Sequence, residues 1–225
     1  MNNFHLYLDV AAFIALIFAL FLFYKQKKVQ SGDAARLQQE LNLLQSQINP
    51  HFLFNTLNSI YALALKKSDS APQAVLKLSS LMRYTITDAR QQLVAVETEV
   101  KQLQAYIDLQ RLRLNANTEV KFEVSGVTHQ MIAPVLLLPF VENAFKYGAA
   151  AVEQTTIAIT LKMEPDGLHF TCWNRIFDNP EVRKESSGLG IENVKRRLEL
   201  LYAGKYHLDI RQIPSDFFVE LKINL

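Results

Sequence analysis

The chain has 225 residues, of which 49% are hydrophobic and 20% are charged, and its formal net charge at pH 7 is +2. These values fit one or two globular units and exclude a disordered chain. The near-neutral charge gives no support for direct nucleic-acid binding. The single cysteine, Cys172, excludes an intrachain disulfide and a cysteine-based zinc site, which fits a reducing compartment.

An apolar run near the start predicts a membrane-spanning helix over residues 4–24. Such a helix needs ~20 residues. Lys25, Lys27 and Lys28 follow the run at once, whereas no Lys or Arg precedes it, so the positive-inside rule places residues 25–225 in the cytoplasm. A cleaved signal peptide is the alternative, but its basic n-region and small-residue cleavage site are missing. We therefore expect a single-pass protein of the cytoplasmic (inner) membrane.

Two long helices joined by a tight turn are predicted next. The first runs from about residue 34 to residue 67, and residues 68–72 form the turn. The second helix has one mostly apolar side, formed by Val75, Leu78, Met82 and Thr85. An antiparallel hairpin of this kind buries too little surface alone, and two copies would form a four-helix bundle. We therefore expect a homodimer.

Within the first helix, a histidine lies where the apolar pattern changes phase. The upstream residues keep the 4-3-4 spacing of a coiled-coil seam, which would continue through His51, Asn55 and Asn58. The apolar face is predicted to move instead to Leu53, Leu57, Ile60 and Ala64. Pro50, a residue that kinks helices, lies at this change. A histidine on a helix is commonly an ordinary surface residue, but this placement predicts that His51 is turned outward beside two amides.

A third helix is predicted from Val96, because apolar residues recur at three- and four-residue spacing to residue 114. Glu97 and Glu99 lie in its first turn, where the helix dipole favours acidic residues. From residue 115 the periodicity changes. It predicts strands over 120–124, 155–163, 168–174, 206–212 and 217–223, and helices over 134–149 and 190–202. About five strands and two main helices indicate an α+β layer sandwich, with the polar stretch 175–187 as a candidate lid.

Residues 47–58 read Gln-Ile-Asn-Pro-His-Phe-Leu-Phe-Asn-Thr-Leu-Asn. This run resembles the phosphoacceptor box of the LytS/YehU-type sensor histidine kinases. In that family the histidine before the Phe-Leu-Phe-Asn run takes the phosphoryl group. The resemblance therefore implies that His51 is the phosphoacceptor.

Two further runs could hold a nucleotide. In residues 139–148, Asn143 and Lys146 are three apart and project together on a helix. An amide oxygen suits Mg²⁺ and an ammonium suits phosphate, although an exposed amphipathic face would look similar. In residues 187–198, a Gly-x-Gly opens a helix, where backbone amides can approach phosphates. Two glycines before a helix are, however, often just a turn.

Taken in the order His, Asn, Gly, the three runs resemble the histidine kinases, with an ATP-binding domain of the GHKL (Bergerat) type, over roughly residues 35–225. The resemblance implies ATP and Mg²⁺ as cofactors. Asn143 would be the Mg²⁺ ligand and Lys146 a phosphate contact, with Glu142 a weaker candidate for polarising the acceptor or a metal-bound water. The nucleotide pocket would be lined by Gly188, Gly190 and Asn193.

The chain departs from the family pattern at two places. Tyr147 stands where many members have histidine. Asn174 stands where many members have the aspartate of an Asp-Asn-Gly sequence that reads adenine, and residues 175–177 read Arg-Ile-Phe without the glycine. Asn174 is therefore the candidate adenine reader, with a neutral amide in place of a carboxylate.

The sequence thus predicts three regions: a transmembrane helix over 4–24, a helical dimerisation and phosphotransfer region over 31–114, and a GHKL-type ATP-binding domain over 115–225. We expect a membrane-anchored histidine kinase that phosphorylates itself and then an aspartate of a response regulator. By resemblance the regulator would be of the LytTR type. The alternative is a non-enzymatic pseudokinase scaffold: the departures favour it, whereas the intact His51, Asn143 and both glycines oppose it. A third class, another GHKL-type ATPase, is opposed by the His box.

Overall fold

The computed structural model describes residues 50–87, 91–126, 129–149, 153–177 and 189–225, which belong to one compact unit. The predicted membrane helix over 4–24, the coiled-coil seam before Pro50, most of the candidate lid, and Gly188 lie outside the described residues. Within the part of the chain that is described, no helix combines the length and apolarity needed to cross a bilayer.

The described chain begins with a helical hairpin and continues into a layered α/β region. The helices are α1 (Pro50–Leu65), α2 (Ser70–Ile86), α3 (Val96–Arg111), α4 (Leu138–Gly148) and α5 (Leu189–Tyr202). The strands are β1 (Val94–Ala95), β2 (Thr118–Ser125), β3 (Met131–Ile132), β4 (Thr155–Glu164), β5 (Gly167–Arg175), β6 (Tyr206–Ile213) and β7 (Asp216–Asn224).

Five of the strands form one sheet in the order β2-β4-β5-β7-β6, and β1 pairs with β3 in a separate two-stranded sheet. Strand β2 runs parallel to β4, whereas the other neighbours in the large sheet are antiparallel. Side chains alternate across a strand, so β4 buries Ile157, Ile159 and Leu161 on its inner face. The predicted five strands and α+β sandwich are confirmed.

The inner face of this sheet shares one apolar core with α3, α4 and α5. From β5 the core receives Phe170 and Cys172, and from α4 it receives Phe140, whose ring centroid is 6.0 Å from that of Phe170. Burial raises the pKa of the Cys172 thiol to about 12. Burying a large apolar side chain contributes about 1.5–3 kcal/mol, so these contacts fix α4 on the sheet.

The predicted buried faces of the hairpin helices are partly wrong. Helix α1 buries Phe52, Thr56 and Ile60, whereas Leu57 is 46% exposed and Ala64 is also exposed. The reason is that Phe52 packs on the Tyr106 ring of α3, which turns the Phe52 side of α1 inward. In α2 the buried residues include Ala74, Leu78, Leu81 and Tyr84, and the predicted Val75 is exposed.

The predicted start of the helix over 134–149 is also wrong. Helix α4 begins at Leu138, and the residues before it form a loop in which Val135 has φ +56°. This left-handed backbone is uncommon for a β-branched residue and cannot continue into a helix turn. The apolar spacing extends into residues 134–137 because their side chains are also packed in the core, not because they are helical.

Candidate functional site

His51 lies on the exposed side of α1, at the start of the helix. The side-chain amide of Asn55 donates a hydrogen bond to His51 Nε2 over 2.8 Å. Because Nε2 accepts this bond, it carries the lone pair, and the proton of the neutral imidazole is on Nδ1. Asn58 is exposed on the same helix. The predicted outward placement is therefore confirmed for His51 and Asn58, whereas Asn55 is half-buried.

Three aromatic rings join the helix of His51 to the core near α4. The centroids of Phe52 and Tyr106 are 4.8 Å apart, and Tyr106 meets the Phe145 ring edge-on at 5.8 Å. Such pairs add about 0.5–1.5 kcal/mol to the burial of the rings. The neighbour of the predicted phosphoacceptor is thus packed against the ring that contacts α4.

The Tyr106 hydroxyl group lies near two polar side chains, those of Gln110 and Glu142. The Gln110 side chain donates a 2.6 Å hydrogen bond to the Tyr106 hydroxyl oxygen. Burial, with a further contribution from the charge of Glu142, raises the pKa of Tyr106 well above its usual value. Tyr106 is therefore a neutral phenol whose environment is sensitive to the charge on α4.

Helix α4 divides into a buried side and a polar side. Phe140, Val141, Ala144 and Phe145 are buried, whereas Glu142, Asn143 and Lys146 are half-buried. Burial raises the pKa of Glu142 to about 7, and the charge of Lys146 opposes the rise. Glu142 is therefore a carboxyl group that exchanges a proton near neutral pH. The structure places Glu142, Asn143 and Lys146 together on one face.

The C-terminal end of α4 lies against the end of β5. A Cβ added at Gly148 would be 2.7 Å from the Asn174 Cβ, so only glycine fits there. Asn174 is buried and its side-chain amide donates to the Arg175 carbonyl over 2.9 Å, while its Oδ1 has no hydrogen-bond partner among the described groups. Buried acceptors are nearly always paired. An unpaired one fits a site that takes a hydrogen-bond donor from a ligand.

The N-terminal end of α4 lies near the start of α5. A Cβ added at Gly190 would be 3.7 Å from the Pro139 Cβ. Gly190 is exposed in the first turn of α5, and Asn193 is exposed one turn later. The structure thus brings Asn174 and Gly190 to opposite ends of a helix about 16 Å long.

The residues after β5, where the chain departs from the family pattern, are held by backbone hydrogen bonds to α4 and to the turn between β6 and β7. The Phe177 amide donates to the Tyr147 carbonyl over 3.1 Å, and the Ile176 amide donates to the Ser215 carbonyl over 2.7 Å. Within the described ranges, no three His, Cys, Asp or Glu side chains lie together as a metal-binding group.

Glu99 lies in the first turn of α3, as the sequence predicted, but its carboxyl group contacts elements outside that helix. Glu99 is buried, and its oxygens accept hydrogen bonds from the Val135 amide, the Leu137 amide and the Tyr84 hydroxyl. Burial raises the pKa of Glu99, and these hydrogen bonds oppose the rise. A signal was present in the sequence, because Glu99 lies within the apolar stripe between Val96 and Leu103.

Comparison with known proteins gives matches along most of the chain. The family model described as "Histidine kinase" matches residues 39–118. The sensor protein LytS of Enterococcus faecalis is 29% identical over 181 residues, which cover 75% of this chain and 31% of that protein. LytS of Staphylococcus saprophyticus is 28% identical over 221 residues, which cover 92% and 36% respectively. The sensor histidine kinase BtsS of Escherichia coli is 30% identical over 185 residues, covering 80% and 32%.

The chain thus spans about a third of the length of these curated relatives. Among solved structures, one titled as a bacterial phosphotransferase aligns with a TM-score of 0.46 at 13% identity, over 80% of this chain and 94% of that one. The Acinetobacter baumannii histidine kinase AdeS aligns with a TM-score of 0.42 at 15% identity, over 84% and 95%.

Proposed function

Because this chain belongs to the LytS-type sensor histidine kinases by sequence, we propose that it is an ATP-dependent protein-histidine kinase. It would phosphorylate His51 and pass the phosphoryl group to an aspartate of a response regulator. The observation that carries the proposal is the arrangement around α4. Its polar side holds Asn143 and Lys146, and its two ends lie against Gly190 and Asn174.

The proposed nucleotide site belongs to a GHKL-type domain over residues 115–225. ATP with Mg²⁺ would supply the phosphoryl group. Asn143 offers an amide oxygen as a hard ligand for Mg²⁺, and Lys146 offers a cation for the phosphates. Asn174 offers its unpaired Oδ1 to the exocyclic amine of adenine. Gly188, Gly190 and Asn193 would complete the lining at the start of α5.

His51 would contribute the attacking nitrogen. Its Nε2 carries the lone pair, so the N–P bond forms there while the bond from the γ-phosphorus to the oxygen of the departing ADP breaks. Asn55 must release Nε2 before this attack, because the same lone pair accepts its hydrogen bond. The Nδ1 proton is then lost to solvent, since the imidazole is exposed. Glu142 remains the weaker candidate for polarising the acceptor.

The hairpin supports the proposed homodimer. Helix α1 exposes an apolar stripe at three- and four-residue spacing, made of Phe54, Leu57, Tyr61 and Leu65. A contiguous apolar stripe of this kind indicates an interface. We place the dimerisation and phosphotransfer region in residues 31–114, where a second copy of the hairpin would complete a four-helix bundle.

The finer parts of the proposal come from the sequence alone. Residues 4–24 would anchor the chain in the cytoplasmic membrane, with residues 25–225 in the cytoplasm. The family resemblance alone implies that the regulator would be of the LytTR type. The relatives are named sensor proteins and sensor histidine kinases, which favours the enzyme over the non-enzymatic scaffold.

The test incubates the full chain, purified in detergent, with γ-labelled ATP and Mg²⁺. We expect an acid-labile label that His51→Gln abolishes, while equilibrium dialysis shows that ATP binding is kept. Label that maps to His129, His169 or His207 would overturn the assignment of His51. If the unaltered chain takes up no label, whether or not it binds ATP, the result would contradict the kinase and favour the pseudokinase scaffold.

A further inference from the structure

The Glu99 side chain accepts hydrogen bonds from residues outside its own helix. Leu137 N–H donates to Oε1 and Val135 N–H donates to Oε2, each over 3.0 Å. The Tyr84 hydroxyl, at the end of α2, also donates to Oε2. Glu99 is only 1% exposed, so its carboxyl group makes its hydrogen bonds within the protein and not with solvent. It therefore joins the helical hairpin to the loop before α4.

The loop that Glu99 holds has an unusual backbone. Val135, at φ +56°, adopts a conformation that β-branched residues rarely occupy and that persists only when its surroundings impose it. The Val135 amide also donates to the Tyr84 hydroxyl oxygen over 3.2 Å, and its carbonyl accepts from Arg197 Nη1 over 3.5 Å. Side chains from α2, α3 and α5 thus hold Val135, which lies three residues before the start of α4.

Glu99 also acts as the cap that α4 lacks in its own sequence. The residue at the N-cap is Leu137, whose side chain cannot accept a hydrogen bond. Glu99 accepts the Leu137 amide and brings a carboxyl group to the positive end of the α4 dipole. Asn143 and Lys146 lie within the next three turns of α4, so the position of this cap sets where they point.

We propose that Glu99 and Tyr84 are positioning residues for the nucleotide site, through which the hairpin that carries His51 sets the placement of α4. This inference rests on the proposed function, because it concerns ATP binding at Asn143 and Lys146. Both side chains are buried. Their role is to hold Val135 and Leu137, and thereby the register of α4 against Gly190 of α5.

The test compares Tyr84→Phe and Glu99→Gln in the full chain. Tyr84→Phe removes only the hydroxyl group. We expect the KM for Mg²⁺–ATP to rise about tenfold, equivalent to about 1.4 kcal/mol, while the rate at saturating ATP changes little. We also expect faster hydrogen exchange at the Val135 and Leu137 amides. The milder Tyr84→Phe variant carries the test if Glu99→Gln fails to fold.

The matched control is Lys77→Met. Lys77 of α2 pairs with Asp108 of α3 over 2.6 Å, so it joins the same two helices as Tyr84 and Glu99. Asp108 lies about 13 Å further along α3 than Glu99. The control should leave both the KM and the exchange of the loop amides unchanged.

The outcomes separate the two proposals. If the unaltered chain binds no Mg²⁺–ATP, the proposed function fails and this inference falls with it. If the unaltered chain binds ATP but Tyr84→Phe matches the Lys77→Met control in KM and loop exchange, the pair is only structural and the inference alone is overturned. A selective rise in KM with faster loop exchange supports it.

Discussion

Gly148 and Asn174 are packed so closely that there is no room for a side chain at position 148 while Asn174 keeps its place. A Cβ at Gly148 would lie 2.7 Å from the Asn174 Cβ and 3.2 Å from both its Cγ and its Nδ2. Gly148 ends the helix that carries Asn143, and Asn174 is near the end of β5. The contact therefore fixes the distance between the proposed adenine and magnesium ligands.

Gly148→Ala should disturb both stability and nucleotide binding. The new methyl group must displace Asn174 or the end of α4, and overpacking of this kind costs about 1–3 kcal/mol. We expect a lower free energy of unfolding in urea and a weaker Kd for Mg²⁺–ATP by calorimetry.

Gly190→Ala is the comparison for this prediction. Its methyl group would lie at an ordinary 3.7 Å from Pro139, and alanine favours a helix by about 1 kcal/mol over glycine. It should therefore keep or raise stability and affect only nucleotide binding. Equal stability losses in the two variants would contradict the packing argument.

Asn174→Asp should raise the preference for ATP over GTP and lower stability. A carboxylate accepts a hydrogen bond from the adenine amine more strongly than an amide does. The same change removes the bond from the Asn174 amide to the Arg175 carbonyl, which costs about 1–3 kcal/mol in a buried site. Titrating both proteins with ATP and GTP checks the preference. An unchanged ratio of the two affinities would remove Asn174 from the adenine site.

Glu142→Gln should remove part of the pH dependence of stability. The pKa of Glu142 is about 7 in the folded chain and 4.5 in its ordinary state. The folded chain therefore binds the proton more tightly, and Glu142 makes its stabilising contribution below pH 4.5. That contribution is lost as the pH rises to about 7.

Since one pKa unit equals about 1.4 kcal/mol and Glu142 is half-buried, we expect Glu142→Gln to be more stable than the unaltered chain by about 1–3 kcal/mol at pH 8. The two should be nearly equal at pH 4.5. Urea unfolding at both pH values measures the difference. The exposed Glu123→Gln serves as the control and should show no such divergence.

Phe52→Ala should separate the helix of His51 from the core. The ring is buried against Tyr106, and removing a buried phenylalanine side chain costs about 3–5 kcal/mol. We expect a lower unfolding free energy and slower labelling of His51. Phe54→Ala, two residues away and 66% exposed, should instead weaken dimerisation in sedimentation equilibrium. If both variants changed only the dimer, the aromatic contact would not link His51 to the core.

The sequence predicted the strands well because each alternates along its length, and hairpin turns such as Glu164 to Gly167 are marked by Pro and Gly. It also predicted the outward face of His51, since a proline and three polar residues break the apolar seam there. It did not predict which side of α1 is buried, because that depends on Phe52 meeting Tyr106, which is 54 residues away. The contact is tertiary and leaves no local pattern.

The same limit explains the loop before α4. Residues 134–137 carry apolar side chains at a helix-like spacing, so the pattern alone extends the helix back to Pro134. What stops it is the pairing of the Val135 and Leu137 amides with Glu99, from a helix far upstream. The spacing of apolar residues in the sequence indicates which side chains are buried. It indicates the backbone conformation only where no distant side chain forms hydrogen bonds with the backbone amides of that segment.

The state of Cys172 makes the chain suitable for site-specific chemistry. Its thiol is fully enclosed between β5 and the Phe140 carbonyl, with Sγ 3.8 Å from that oxygen, and its pKa of about 12 keeps it protonated at neutral pH. Thiol reagents attack the thiolate, so the natural cysteine gives almost no background. A single cysteine introduced at an exposed position outside the apolar stripe, such as Ala62 of α1, would carry a spin label or fluorophore alone. Distances between two such labels would then report directly how the hairpins of two copies approach each other.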